Sequence, residues 1–301
     1  MRITLVLAVC SLACSWAAAE PFPTVQVVPL PGKRAALEVW GKEVCRYRWD
    51  DAAPKPFLFP VWGPSGRRVT GVAHPYDPAG HGHHRSIWVG HRDVNAVNFW
   101  EEKPGSGHIA GHIESFTNPA GTLVMEHQWR APDGTVLVNE TRSIRLTPLD
   151  EGEYLLNLHL ALAPAEGPVT LGQTPFGFLG VRVAAVMAVK DGFGRVVNAA
   201  GARDEAGVHG QRSQWVDYAG PVSPEVVNGI AVFDHPENPR HPTFWHVRDD
   251  GWMGAAFCKE AVHTLEEPLE LKYGLYVHGD RTSAEIAVQY ASYAGKSGNG
   301  G

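Results

Sequence analysis

Lysine- or arginine-rich runs are missing from this 301-residue chain, which carries 26 basic against 32 acidic side chains for a formal charge of −6. That balance argues against nucleic acid or an anionic membrane surface as a partner, since both are gripped by clustered positive charge. Long apolar runs are equally scarce. One stands at the start: Arg2, an apolar stretch from Ile3 to Leu12, then Ala17-Ala18-Ala19 before Glu20. This reads as a signal peptide over residues 1–19, too short for a membrane span and cleaved after Ala19. Cys14 raises a lipoprotein alternative, weakened by Ser11 where a lipobox wants Leu. The mature chain is therefore expected to be periplasmic or extracellular, with no transmembrane segment after cleavage. Cysteine is the third scarcity. Cys10 and Cys14 leave with the signal, so Cys45 and Cys258 remain, and an oxidising compartment permits but does not require them to pair.

What is abundant is glycine, 33 residues, and proline, 23, scattered between short apolar stretches as in an all-β protein. Leu123–Trp129, the turn Ala131-Pro-Asp-Gly134 and Thr135–Leu146 read as a hairpin. In Tyr154–Leu162 the leucines alternate with polar residues, and Leu269–Val277 repeats the device. Further strands are expected at 25–28, 37–40, 87–90, 181–189, 230–233, 244–247 and 252–257. Thr282-Ser-Ala-Glu285 is a capping box, and Ile286, Tyr290 and Tyr293 form an apolar stripe behind it. The expected architecture is a single all-β domain over residues 20–294, a large two-sheet antiparallel sandwich with one short C-terminal helix and a flexible tail at 295–301.

Chemistry concentrates between His74 and Trp100, where His74, His81, His83, His84 and His91 stand among Arg85, Arg92, Asp93, Asn95, Asn98, Trp88 and Trp100. So many hydrogen-bonding groups cannot enter a core without partners. Gly80 and Gly82 favour a bent loop over a straight strand, which lets His83 and His84 reach one pocket. Three roles compete for these imidazoles. They can take and give protons near neutral pH; they can hold a divalent metal, through His81, His83, His84 and His91; or they can be hydrogen-bonded groups with no chemistry. The HGHH spacing is no recognised metal-ligand signature.

A second polar cluster, Asp234, His235, Asn238, Arg240, His241 and His246, falls in a proline-stiffened loop flanked by Trp245 and Trp252. In GQTPFGFLGVRVA, Gln173 and Arg182 are polar islands, and Arg182 among Val181, Val183 and Ala184 requires an anionic or carbonyl partner. His108 and His112 are weaker candidates.

HHRSIWVGHRDVNAVNFW, GQTPFGFLGVRVA, the segment Trp215–Gly220 and DHPENPRHPTFWHVRD follow one another as in the PmoA-like family of exported bacterial proteins, which the chain resembles from about Thr24 to its C-terminal helix. It departs in having Ser86 and Ala96 where that pattern has glycine, and Ala255-Ala256-Phe257 in place of an Asn-Pro-Phe-like turn. The resemblance implies one β-rich domain similar to the galactose mutarotase-like supersandwich, with its polar motifs gathered at one site. It implies no methane chemistry, because a chain with no spanning helix cannot be a polytopic membrane subunit. The expected function is a secreted carbohydrate-active protein. His83 and His84 would perform acid–base or ligand work, opposed by Asp234 or His246. Arg85, Arg182, Arg240, Asn95, Gln173 and Asn238 would bind substrate, with Trp88, Trp100 or Trp245 for stacking. A metal-dependent hydrolase or oxygenase and a non-catalytic glycan-binding module are the alternatives.

Overall fold

The computed structural model describes residues 23–118 and 120–295. The expected signal peptide and the tail beyond Gly295 lie outside the described residues. Two eight-stranded sheets dominate, and every pairing in them is antiparallel. The first runs β1 (Val25–Leu30), β2 (Arg34–Val39), β3 (Lys42–Arg48), β4 (Phe57–Val61), β5 (Ile87–Gly90), β11 (Phe178–Arg182), β16 (Trp252–Ala256), β15 (Trp245–Arg248). The second runs β12 (Arg195–Asn198), β13 (Trp215–Ser223), β14 (Val226–Asp234), β18 (Leu269–His278), β9 (Tyr154–Pro164), β8 (Val136–Pro148), β7 (Thr122–Arg130), β6 (His108–Thr117). A small ribbon pairs β10 (Val169–Leu171) with β17 (His263–Leu265).

The alternation in β9 and β18 sets their register. Leu156, Leu158, Leu160 and Leu162 face Leu275, Tyr273, Leu271 and Leu269 across the ladder, all buried in the core between the sheets. Each such aliphatic side chain stabilises the fold by about 1.5–3 kcal/mol. The helix over Ser283–Gly295 covers the opposite face, laying Ile286, Tyr290 and Tyr293 on Phe233 and Tyr276. Its start is the expected capping box: Thr282 Oγ1 accepts from the Glu285 amide and Glu285 Oε2 accepts from the Thr282 amide. The helix runs through Gly295, so the tail begins one residue later than expected.

One expectation is corrected: the strand expected over 181–189 spans Phe178–Arg182, and Ala185–Met187 is a 3-10 turn. The pairing left open for Cys45 and Cys258 is decided, both being buried, unpaired thiols.

In the first sheet, alternation sends Leu179, Val181, Met253 and Ala255 into the core and leaves Gly180, Arg182, Trp252 and Gly254 on the outer face. There Trp88, Trp100 and Trp252 form a separate apolar cluster. The paired glycines make room for it. A Cβ on Gly180 would meet Trp88 Cζ2 at 2.5 Å, and one on Gly254 would meet Trp252 Cζ3 at 2.4 Å. Only glycine lets these indoles lie against the sheet.

Candidate functional site

A bent loop gathers the histidines. Asp77 caps it, Oδ1 accepting from the Gly80 amide at 2.8 Å, and the His84 amide closes the turn onto the His81 carbonyl at 3.2 Å. The imidazoles of His83 and His84 then stand 4.6 Å apart, His81 and His84 5.2 Å, His81 and His83 5.6 Å, and His74 and His81 5.3 Å, centroid to centroid. Strands β15 and β16 and the turn between them supply the facing wall: His246, Arg248, Asp250 and Trp252. Trp100, Glu101, Lys103 and Phe176 complete a pocket of about 390 Å³. Tryptophan is its foundation. His84 stacks on Trp88 at 5.3 Å and His246 on Trp252 at 4.7 Å. Trp88 lies beneath the lining, while Trp100 and Trp252 share the pocket wall with the imidazoles.

Hydrogen bonds fix where the protons sit. Arg182 Nη2 donates to His84 Nδ1 at 2.8 Å, and an arginine can only donate. His84 therefore carries its proton on Nε2. Arg182 is itself held by the Asp250 carbonyl (2.7 Å) and carboxylate (3.0 Å), the anionic and carbonyl partners its apolar setting demanded. His74 Nδ1 accepts from the amides of Tyr76 and Asp77, so its Nε2–H donates to Asp250 Oδ2 at 2.8 Å. His81 has the opposite polarity to His84. Its Nδ1–H donates to Asp77 Oδ2 at 2.7 Å, leaving Nε2 as a lone pair with no protein partner among the described residues. Burial holds His83 at about 4 and His246 at about 4. His84 is pushed far below the ordinary imidazole range by burial and then by Arg182. Burial works to raise Asp250, but Arg182 and His74 outweigh it and keep the carboxylate below its usual range. The Gly80 amide and His81 do the same for Asp77.

Among the described residues no three His, Cys, Asp or Glu side chains gather as a metal-ligand group. Nor does the proton pattern suit one: ligation through His84 Nε2 would displace the proton that Arg182 forces onto it. His91, the fourth conditional ligand, is fully buried, donates Nε2–H to the Gly172 carbonyl and stacks on Phe178.

The structure thus brings His83, His84, His246 and Trp100 into one pocket, with His81. It places the other candidates elsewhere. Trp88 lies beneath His84, and Arg182 is a buried brace for it rather than a substrate contact. Arg85 turns away and closes a fork on Glu102. Asn95 sits in a tight turn where its side chain accepts from the Thr170 amide, and Gln173 donates to the Lys259 carbonyl on the surface. Trp245 faces the core with Nε1 on the Ser213 carbonyl. Asp234, Asn238 and Arg240 knit the proline loop to itself and to its neighbours. Sequence reasoning missed Asp77, Asp250, Trp252 and Phe176 as site residues. The i,i+4 spacing of Asp77 and His81 was the available signal for the first.

No curated protein matches the chain. The model of a family described as "Family of unknown function (DUF6807)" matches residues 34–292. That span takes in both sheets from β2 onward and every residue of the pocket, and the chain belongs to DUF6807.

Proposed function

We propose that the chain binds a sugar or sugar-derived small molecule in the imidazole pocket and acts on it by proton transfer. One observation carries the reading: two adjacent histidines of fixed and opposite polarity, His81 offering a lone pair backed by Asp77 and His84 offering an Nε2–H backed by Arg182. A base beside a fixed donor suits removal of a proton from a carbon next to a carbonyl. His81 Nε2 takes the proton, the electron pair moves onto the carbonyl oxygen, and His84 Nε2–H stabilises the developing charge. Reprotonation of that carbon on the opposite face by solvent water gives epimerisation; departure of a β-substituent with its bonding electron pair gives elimination. The pocket's volume lies in the range of small-molecule sites. Its lining mixes imidazoles with both signs of charge, Glu101 and Asp250 against Lys103 and Arg248, which suits a ligand rich in hydroxyl groups better than a bare anion. The base thereby moves from His83 to His81, and Asp234 leaves the scheme.

We also propose that residues 1–19 direct export, so that the secreted chain begins at Glu20, which its intact mass would show. The resemblance to PmoA-like proteins belongs to this proposal too, without a reaction attached.

The test is a screen of sugars, sugar lactones and keto sugars in deuterium oxide, following exchange by NMR. His81→Ala should slow exchange by about 10²–10⁴-fold. His84→Gln should lower turnover more than affinity. If saturable binding occurs without exchange, and both variants keep it, the chain is a glycan-binding module and the catalytic reading fails.

A further inference from the structure

A cleft of about 760 Å³ lies beside the imidazole pocket and differs from it in charge. Four arginines and one aspartate line it, in a chain whose overall charge is −6. Its floor is aromatic: Phe57, Phe59 and Trp62. The guanidiniums of Arg48 and Arg85 lie 5.1 and 5.7 Å from the Phe57 ring centre, and that of Arg68 lies 5.7 Å from Phe59. Arg48 is engaged by Asp50, and Arg85 by Glu102, which also takes Lys55. Arg67 and Arg68 are exposed and have no carboxylate partner among the described residues. Phe59 and Trp62 are only half-buried, unlike the indoles under the imidazoles, so part of each ring is accessible, with Arg68 over Phe59.

The two cavities back onto one ribbon. Val72 and Arg85 form a β-bridge, and the Ala73 amide donates to the His84 carbonyl at 2.7 Å. Consecutive side chains then part company, His84 to the smaller pocket and Arg85 to the larger cleft. Guanidinium forks match carboxylates in plane and spacing, and aromatic faces take sugar rings.

We infer that the larger cleft is a subsite for an acidic saccharide, a uronate whose carboxylate is held by Arg67 and Arg68 while its ring lies over Phe59 and Trp62. The inference rests on the sugar reading of the neighbouring pocket for the choice of saccharide, and on the cleft alone for its charge.

Calorimetric titration of the mature chain with galacturonic acid trimer, the neutral galactose trimer and inorganic sulfate tests it. The acidic trimer should bind, more weakly at high salt, and lose about tenfold or more in the double variant Arg67→Ala/Arg68→Ala. Both positions are exposed, so this variant should fold. Acidic-trimer binding that depends on these arginines but survives His84→Gln upholds the cleft even if the imidazole pocket proves inert. Equal binding of both trimers, indifferent to the arginine variant, overturns the inference and leaves the sugar reading standing. Arginine-dependent binding of sulfate with no binding of either trimer also overturns it, leaving a plain anion site. No binding of any probe defeats the cleft, and the sugar screen then decides the pocket separately.

Discussion

The histidine loop and the proline loop look alike on paper, each a run of His, Arg, Asp and Asn between aromatics, yet they do different work. In the proline loop the charged groups are taken up by protein partners, although His235 Nε2 is buried without one. Asp234 accepts from Asn238, His241 and the Thr243 amide, each at 2.8 Å, and Arg240 donates to the carbonyls of Phe257, Ala261 and Val262. In the histidine loop, satisfaction stops halfway. His81 keeps a free Nε2, and His83 makes no hydrogen bond to the described protein while sitting 92 % buried against its neighbours. Paired charges away from the pocket make a latch; imidazole nitrogens left unpaired at the pocket are what the proposed site rests on. The contrast runs inside the second segment as well, because β15 turns His246 toward the pocket and Trp245 into the core, one residue apart.

Acid should expose the contrast most. His83, His91 and His246 are held at about 4 by burial, and His127 at about 3. Each is neutral in the fold and takes up a proton on unfolding below its ordinary value. The stability they contribute is complete above pH about 6.5 and is lost as pH falls toward 4, by up to about 1.4 kcal/mol per pH unit for each histidine. His278 has the opposite sign: burial lowers it, but Asp217 outweighs burial and raises it, so its share is complete at low pH and lost as pH rises through its folded value. The lowered group outnumbers it. Urea unfolding at pH 7.5, 6 and 5 should show a steep decline, flattened in His83→Gln/His246→Gln. A decline of unchanged slope in that variant would place the acid lability in the core histidines instead.

Next in size is the latch. Asp234→Ala removes the acceptor shared by Asn238, His241 and the Thr243 amide, of which the Thr243 amide is left buried without one. It should cost about 3 kcal/mol of stability, read by denaturant midpoint. Ligand affinity of the folded fraction should not change. A loss of affinity at full folding would dissolve the distinction between latch and site.

The smallest effect belongs to a turn within the histidine segment. Val94 and Val97 exchange both backbone hydrogen bonds around Asn95 and Ala96, whose φ values are +49° and +65°. This is a two-residue hairpin turn that favours Asn-Gly. Ala96→Gly should therefore raise stability by about 1 kcal/mol with the same urea dependence and the same ligand binding. Any effect on binding would return Asn95 to the site. Ser86, the other position where the PmoA-like pattern has glycine, also has positive φ, at +60°, but its hydroxyl donates to Thr70 in the interior, so glycine there forfeits a bond.

Legibility in the sequence followed the periodicity of burial. Strands with one buried face, β7, β8, β9 and β18, were readable because water on one side and core on the other write a period of two. Short apolar runs buried on both faces, β5 and β16, were readable as well. Strand β13, whose run Trp215–Gly220 is buried on both faces but includes Asp217 and Gly220, was not, nor was β6, mostly exposed at the sheet edge. The capping box and the 131–134 turn are local chemistry and needed no tertiary context. Which residues would be concentrated, and that they would be imidazoles near indoles, was likewise written in the chain.

Tertiary structure alone decided which of those residues share a cavity. Arg182 and Asp250 reach His84 across β11 and the β15–β16 turn, and only that meeting fixes its proton on Nε2. A side chain's type and local spacing are properties of sequence; the partner that occupies its lone pair comes from a strand 98 residues away. The carboxylate and guanidinium of the proline loop, Asp234 and Arg240, found their partners within it and in neighbouring segments. The histidine loop instead lines a pocket and leaves His81 Nε2 without a partner among the described residues, and on that pairing of cavity and lone pair the proposed site rests.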